Sequence, residues 1–162
     1  MRVLRHLFAP SARKHFPADA LARIAQAIHD AESRHAGEIC FAVESALPPN
    51  AVFAGVDART RAQDAFARLR VWDTEANNGV LLYLLLADHR LEIVADRGFA
   101  GRVDAAQWRG VCEAMEPLLR AGRAEHAVIE GVARLSALVA AHFPQVPGRP
   151  DVDELPDAPH VL

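Results

Sequence analysis

The sequence contains little of what marks several specialised classes of protein. Two cysteines occur in 162 residues and neither belongs to a CxxC pair, which argues against a disulfide scaffold or a thiolate zinc site. Cys40 and Cys112 are therefore expected to be buried reduced thiols in a reducing compartment. The net charge of −3 provides no basic surface of the kind that binds nucleic acid, so no nucleic-acid partner is expected.

Long apolar runs are also absent. The longest extends over residues 80–87, far short of the roughly 20 residues that a bilayer span requires. The amino terminus has neither the long apolar core nor the small-residue cleavage site of a signal peptide. We therefore expect no transmembrane segment, and the cytoplasm is the predicted location.

The familiar catalytic templates are missing as well. The sequence has no G-x-S-x-G, no P-loop and no H-E-x-x-H, and no acid pair has a spacing that implies a mechanism. Eight histidines are present, but none lies at ligand spacing from another histidine or from a cysteine. They are better interpreted as surface or packing residues than as zinc ligands.

The most apolar stretch, residues 80–87, is bounded by turn-forming residues. Asn-Asn-Gly at residues 77–79 precedes it, and Asp-His at residues 88–89 follows it. This length and these boundaries favour a strand buried on both faces. Residues 91–96 then alternate apolar and polar side chains, which predicts a half-buried strand that returns antiparallel to the first.

The rest of the chain supplies helices and one further strand. Pro17 opens a helix with an apolar stripe, residues 38–45 form a strand with small or apolar side chains on both faces, and a helix follows from Asp57. Two more helices form a hairpin over the sheet, and the first begins at Asp104 with Gln107 at capping-box spacing. The predicted fold class is α/β: a mixed β-sheet with a parallel βαβ unit plus an antiparallel hairpin strand, flanked by about four helices as an α/β sandwich.

Three segments follow from this pattern. Residues 1–15 are an amino-terminal segment, residues 16–143 an α/β domain, and residues 144–162 a tail that carries five of the ten prolines and several acids. The tail is expected to be extended and outside any regular element. For the amphipathic residues 1–8, binding to a membrane surface and packing on the domain are both open, and packing is favoured because eight residues bury little.

Strand directions predict where polar side chains gather. The end of the third strand returns to the start of the second, which places Asp96 beside Asn77 and Asn78, with Asp73 upstream and Asp104 within reach. Carboxylate and amide oxygens on glycine-containing loops are ligands that Ca²⁺ and Mg²⁺ prefer. We therefore predict a divalent-cation site formed by these five residues. The alternative, that they are turn and capping residues, remains open.

The opposite end of the sheet is a second place for a site. Glu44, Ser45, Asp88 and His89 lie at the carboxyl ends of the predicted parallel strands. Open α/β sheets usually bind ligands at that end.

One stretch resembles a known family. W-D-T-E-x-N-N-G-V-L-L-Y-L-L-L-A-D-H, followed by E-I-V-A-D-R-G, is similar to the TPM domain family. Further matches are G-E-I-C-F-A-V-E in the first strand, the helix that carries Trp108, the H-F-P that ends at Pro144, and D-E-L-P-D in the tail. The resemblance covers residues 16–162 and is closest to short bacterial members without a membrane segment.

The resemblance implies a mixed α/β sandwich and several activities. Some members bind calcium, and acid phosphatase activity has been attributed to a plant thylakoid member. Others are accessory proteins of membrane complexes, and bacterial members often accompany a LemA-like membrane protein. The family's Asn-Asn-Gly and Asp-x-Gly positions correspond here to Asn77, Asn78, Gly79, Asp96 and Gly98.

The sequence also departs from the family. Secreted members tend to have W-G-x-G before the double asparagine, whereas residues 72–75 here are W-D-T-E. Two functions follow as hypotheses. The first is a non-catalytic interaction or accessory module for a membrane-associated complex, peripheral to the inner membrane, with Ca²⁺ or Mg²⁺ as structural support. The second is a metal-assisted phosphate-ester hydrolase. We favour the first because no histidine or lysine is placed to assist hydrolysis near Asn77 and Asp96.

Overall fold

The computed structural model of the protein describes residues 1–148 and 152–162. Seven α-helices and four β-strands lie in these two ranges. The helices are α1 (Arg2–Leu7), α2 (Ala12–His15), α3 (Ala18–Glu32), α4 (Pro49–Phe53), α5 (Ala58–Arg68), α6 (Ala105–Arg120) and α7 (Ala124–His142). The strands are β1 (Glu38–Glu44), β2 (Gly79–Leu85), β3 (Arg90–Ala95) and β4 (His160–Val161).

The four strands form one mixed sheet in the order β3-β2-β1-β4. β1 and β2 are parallel, with Glu38 beside Gly79. β3 returns antiparallel to β2 and places Ala95 beside Val80. The βαβ unit and the antiparallel hairpin strand are therefore confirmed, and the fold is an α/β sandwich.

Helices cover both faces of the sheet, so every residue of β1 and β2 is buried. Phe41 and Leu82 pack on one face against α3, α6 and α7. Leu81 and Tyr83 pack on the other face, against α5. Since side chains alternate across a strand, a strand between two helical layers needs apolar residues at nearly every position, which explains the unbroken run in β2.

The helices α6 and α7 form the predicted hairpin. The Asp104 carboxylate accepts a hydrogen bond from the Gln107 backbone N–H (2.8 Å), and Gln107 Oε1 accepts one from the Asp104 N–H (3.0 Å), so the capping box is confirmed. A side chain at Gly131 of α7 would overlap Met115 of α6, so this glycine permits close packing of the pair. None of the helices in residues 1–148 and 152–162 is long and apolar enough to cross a bilayer.

Two segments differ from the sequence-based expectation. Residues 49–53, between the predicted strand at 38–45 and the predicted helix from Asp57, form the short helix α4, in which Pro49 occupies a first-turn position that needs no backbone N–H. The tail was expected to lie outside regular elements, but it ends in β4, which pairs in parallel with Ala42 and Val43 of β1. A strand of two residues leaves no periodic pattern in the sequence, so its position could not be predicted.

Candidate functional site

The parallel strands β1 and β2 begin at one end of the sheet, which we call the acidic end because Glu32, Glu38, Asp96, Asp153 and Asp157 lie there. The return of β3 to this end is confirmed: the Asp96 N–H donates to the Gly79 carbonyl oxygen and the Gly98 N–H to that of Asn77, each at 2.9 Å. A Cβ at Gly98 would overlap the Asn77 oxygen, so the close approach requires glycine.

Asn78 and Asp96 each have one side-chain oxygen without a hydrogen-bond partner among the described residues. Asn78 is 1% exposed, its Nδ2 donates to the Ala36 carbonyl oxygen at 2.6 Å, and its Oδ1 is buried and unpaired. Asp96 Oδ1 accepts from the Arg97 N–H at 2.8 Å, and its Oδ2 is buried and unpaired. Unpaired buried oxygens are uncommon in folded proteins and are the groups that a bound cation would satisfy.

The other three predicted ligands have partners of their own. Asp73 forms an ion pair with Arg70 at 2.7 Å, Asn77 Oδ1 accepts from Arg97 Nε at 2.9 Å, and Asp104 caps α6. In the described ranges the carboxylates of Asp73, Asp96 and Asp104 form no group whose oxygens lie within 4.8 Å of one another. The structure thus gathers Asn77, Asn78 and Asp96 at one end, and the five-residue cation site stays a prediction.

A different set of acids converges at this end. Glu32 at the end of α3 and Asp153 and Asp157 of the tail offer carboxylate oxygens within 4.8 Å of one another, the only such group of three or more His, Cys, Asp or Glu residues in the described part of the chain. Glu32 Oε1 also accepts from the Ile39 N–H at 2.8 Å, and Asp157 Oδ2 lies 3.0 Å from His29 Nδ1. We call Glu32, Asp153 and Asp157 the tail cluster.

The tail is held beside β1 by further contacts with carboxylates. Glu38, only 4% exposed, accepts from the N–H groups of Glu154 (3.1 Å) and Leu155 (3.3 Å). Glu154 in turn accepts from the Glu75 N–H at 2.8 Å. Leu155 is buried in the second core face, beside Leu81 and the residues of α5. The tail cluster is therefore positioned by a docked segment and a helix end, both close to the start of β1.

Burial and repulsion between neighbouring acids raise the pKa values of carboxyl groups at the acidic end. Burial is the main reason that the pKa of Glu32 lies well above its ordinary value, and Glu38 and Asp157 add to the rise. Burial likewise raises the pKa of Glu38 to about 7. Both carboxyl groups therefore retain a proton at higher pH than an exposed glutamate does. A divalent cation would favour the ionised carboxylates and displace those protons.

Sequence reasoning did not find the tail cluster. Glu32 was part of a helical pattern, and the acids of the tail are far from it in the sequence. The available signal was the D-V-D-E-L-P-D segment, which has four acids and no base. Whether these acids form a site depends on where the tail docks, and no local sequence pattern specifies the docking position.

Of the four residues predicted at the opposite end, Glu44, Ser45 and Asp88 are engaged in contacts within the protein. Glu44 is 4% exposed and accepts from Arg61 (2.8 and 2.9 Å) and from the Tyr83 hydroxyl (2.6 Å). Ser45 Oγ accepts from the Ala12 N–H at 2.7 Å. Asp88 binds Arg2 and His6 of α1, and His89 lies at the turn between β2 and β3 with φ of 51°.

Comparisons with known proteins agree with this architecture. The family model for the TPM domain matches residues 13–138. The BA42 protein of the psychrophilic bacterium Bizionia argentinensis, solved by NMR, is 27% identical with a TM-score of 0.78, over 90% of this chain and 94% of that one. The N-terminal domain of a P. gingivalis protein has a TM-score of 0.62 at 17% identity, over 81% and 83% of the two chains, and shows the fold alone. No curated protein matches the chain.

The family model matches the part of the chain that forms strands β1, β2 and β3. The matched residues, 13–138, include α3, β1, the whole β2–β3 hairpin and α6. The Asn-Asn-Gly and Asp-x-Gly segments meet at the acidic end, as the resemblance led us to expect. This chain belongs to the TPM domain family.

Proposed function

We propose that this TPM domain is a non-catalytic interaction module that binds a divalent cation, Ca²⁺ or Mg²⁺, at its acidic end. The observation that carries the proposal is the tail cluster, in which three carboxylates approach within 4.8 Å of one another. Oxygen ligands of Ca²⁺ lie roughly 2.3–2.6 Å from the ion, so oxygens at this separation fit around one ion. Carboxylates are also the ligands that hard cations prefer.

The charge state of the cluster supports the same proposal. Burial, with a further contribution from Asp157, raises the pKa of Glu32 and makes its ionised form unfavourable. The exposed His29 contacts Asp157, with Nδ1 3.0 Å from Oδ2. A cation between Glu32 and the two tail aspartates would place a positive charge among these three carboxyl groups. It would also hold the tail against α3.

The five residues predicted from the sequence provide an alternative cation position at the same end. The unpaired oxygens of Asn78 and Asp96 support it. Against it, Asn77 already accepts a bond from Arg97. The two positions share no ligand, so single substitutions separate them.

The proposed interaction surface involves the amino-terminal segment. α1 packs against α4, and large apolar side chains on both remain exposed: Leu7 at 57%, Phe8 at 80% and Phe53 at 76%. Neighbouring exposed apolar side chains are typical of protein contact surfaces. The family resemblance points to a LemA-like membrane protein as the partner, which would place this domain at the periphery of the inner membrane.

The cation proposal is tested by thermal unfolding of the chelator-treated chain in rising Ca²⁺. A cation that binds only the folded state stabilises it by about 2.7 kcal/mol at a hundredfold excess over its Kd. We expect Asp157→Asn to abolish this stabilisation and Asp96→Asn to preserve it. Glu113→Gln, at an exposed position of α6, is the matched control for loss of one negative charge.

The other outcomes are equally informative. Loss of stabilisation with Asp96→Asn alone would assign the cation to the five predicted residues. Absence of any stabilisation would show that the acids only cap turns and dock the tail. Cation-dependent turnover of p-nitrophenyl phosphate that disappears with Asp157→Asn or Asp96→Asn would establish a hydrolase and overturn the non-catalytic assignment.

The partner proposal is tested by capture from native membranes. The wild-type chain should retain a membrane protein that the double variant Phe8→Ser/Phe53→Ser does not retain. Val146→Ser, which also removes an exposed apolar side chain (53% exposed), should leave capture unchanged. Equal capture by all three chains would contradict a role for this surface.

A further inference from the structure

A groove of about 840 Å³ lies at the end of the sheet opposite the acidic end. One wall is the segment that joins α1 to α2, including Phe8 and Ala9, and the other is formed by the end of α6 and the start of α7. The turn between β2 and β3 closes the base. The volume falls within the roughly 300–1,000 Å³ of small-molecule sites, and parallel α/β sheets usually bind ligands at this end.

The floor of the groove is apolar. Leu84, Leu86, Leu91 and Leu119 line it, and the first is 2% exposed. These side chains come from two strands, the turn between them and a helix, so the sheet and helix α6 fix the floor. Such a surface fits a hydrocarbon chain.

The rim of the groove is basic. Arg5, Arg90, Arg120, His15 and His89 line it, with Glu116 as the one acidic side chain. Glu116 pairs with Arg120 at 2.6 Å, and Arg5 lies 3.6 Å from Asp88. Arg90 is exposed, and its guanidinium forms no hydrogen bond or ion pair with any residue that the structure describes. A guanidinium at the mouth of an apolar groove is suited to bind a carboxylate through two parallel hydrogen bonds.

The wall formed by the amino-terminal segment is held in place. Arg2 binds Asp88 (2.7 Å), and the Ala12 N–H donates to Ser45 Oγ (2.7 Å). His6, which is 7% exposed, also contacts Asp88 at 3.1 Å. These buried or half-buried polar contacts explain why Ser45 and Asp88, at the carboxyl ends of the strands, are polar. They fix the wall that turns the end of the sheet into a groove.

We propose that this groove binds a small amphiphilic anion, a single-chain carboxylate of the fatty-acid type, with the hydrocarbon chain on the leucine floor and the carboxylate at Arg90. Charge complementarity supports the assignment, because three arginines and two histidines line this apolar groove beside the acidic side chain of Glu116. The site is separate from the proposed cation site and shares none of its ligands.

Calorimetric titration of the full chain with decanoate, below its critical micelle concentration, tests the proposal. Decanol and decyltrimethylammonium serve as neutral and cationic probes of equal chain length. We expect decanoate to bind at least about tenfold more tightly than either, since a hydrogen bond to a charged group contributes roughly that factor or more. From octanoate to decanoate, affinity should rise roughly fourfold per methylene.

Two variants separate the head-group contact from the apolar contact. Arg90→Glu should weaken decanoate binding about tenfold or more and leave decanol binding unchanged. Ala9→Trp should fill the groove and weaken both. Arg109→Glu makes the same charge change at an exposed position of α6 outside the groove and should change neither.

Several results would overturn the proposal. They are absence of decanoate binding, equal affinity for decanoate and decanol, and equal weakening by Arg90→Glu and Arg109→Glu. Chemical shift changes that map to amides outside the groove would also overturn it, whether or not a variant folds. If the chain sediments with phosphatidylglycerol vesicles in an Arg90-dependent way but does not bind decanoate, the surface docks on a membrane and the small-ligand assignment is wrong.

Discussion

Glu38 joins the tail to the sheet through one buried carboxyl group. It begins β1, where its oxygens accept from the N–H groups of Glu154 and Leu155. Burial raises its pKa from 4.5 to about 7. At pH values between 4.5 and about 7, Glu38 carries a proton in the folded protein but not in the unfolded chain. The stability contributed by Glu38 is therefore greatest at low pH.

Glu38→Gln should make the stability of the protein less dependent on pH. Because the pKa is higher in the folded state, the free energy of unfolding falls as the pH rises from 4.5 to about 7. One proton contributes at most about 1.4 kcal/mol per pH unit to this fall. Urea unfolding at about pH 5 and about pH 8 should show a smaller fall in the variant than in the wild type. Glu113→Gln should keep the wild-type fall, and an equal fall in Glu38→Gln would contradict the assignment.

Gly79 is required because the backbone of β2 passes close to the backbone at Val71. A Cβ at this position would overlap the Val71 carbonyl oxygen, whereas one at Gly110 of α6 would meet nothing within 4 Å. We expect Gly79→Ala to lower the free energy of unfolding by about 3 kcal/mol or more. Gly110→Ala should raise it by about 0.5–1 kcal/mol, because alanine favours helix. Equal effects in urea unfolding would contradict this account.

At the residue scale the sequence predicted local contacts well. The Asp104–Gln107 capping box depends on neighbours a few positions away, and it is confirmed. The predicted cation ligands Asp73 and Asp104 are engaged in local contacts, because a carboxylate near a turn or helix start readily bonds to nearby arginines or N–H groups. Amino-acid composition alone could not distinguish a cation ligand from a residue that is engaged in a local contact at a turn or a helix start.

Among the elements, the tail is the least regular, and its strand β4 covers the edge of β1. Without it, β1 would be an edge strand with unpaired N–H and C=O groups. β4 pairs with Ala42 and Val43, and the Leu162 N–H donates to the Val43 carbonyl oxygen at 2.9 Å. Leu155 anchors the middle of the tail in the core at 8% exposure.

Leu155→Ala should therefore destabilise the whole domain. We expect the free energy of unfolding to fall by about 2–3 kcal/mol, as for other buried leucines. Val152→Ala, at a tail position that is 67% exposed, should change it by less than about 0.5 kcal/mol. Chemical denaturation measures both values. A Leu155→Ala variant as stable as the wild type would show that the tail is not part of the core.

At the element scale, prediction succeeded where a pattern repeats. The apolar run in β2 and the helical stripe of α3 each extend over several residues, so their type and direction follow from the sequence. The strand β4 and the helix α4 have only two and five residues. Whether so short an element forms depends on tertiary contacts, and these contacts leave no periodic pattern in the sequence.

At the scale of the whole molecule, a cluster of acids and a groove lined by basic side chains lie at opposite ends of the sheet. The tail cluster and Glu38 lie where β1 and β2 begin, and the basic groove lies where these strands end. Formal net charge, −3 for the chain, conceals this separation. The two proposed binding sites therefore lie at opposite ends of one sheet.

Titration of the full chain with Ca²⁺, followed by ¹H–¹⁵N NMR, tests the central claim most directly. We predict saturable shifts at the amides of Glu32, Asp153 and Asp157, with affinity that rises between about pH 6 and about pH 8 because the cation must displace the proton of Glu32. Asp157→Asn should remove these shifts while Glu113→Gln retains them. Shifts that do not saturate, or that persist unchanged in Asp157→Asn, would contradict a cation site in the tail cluster.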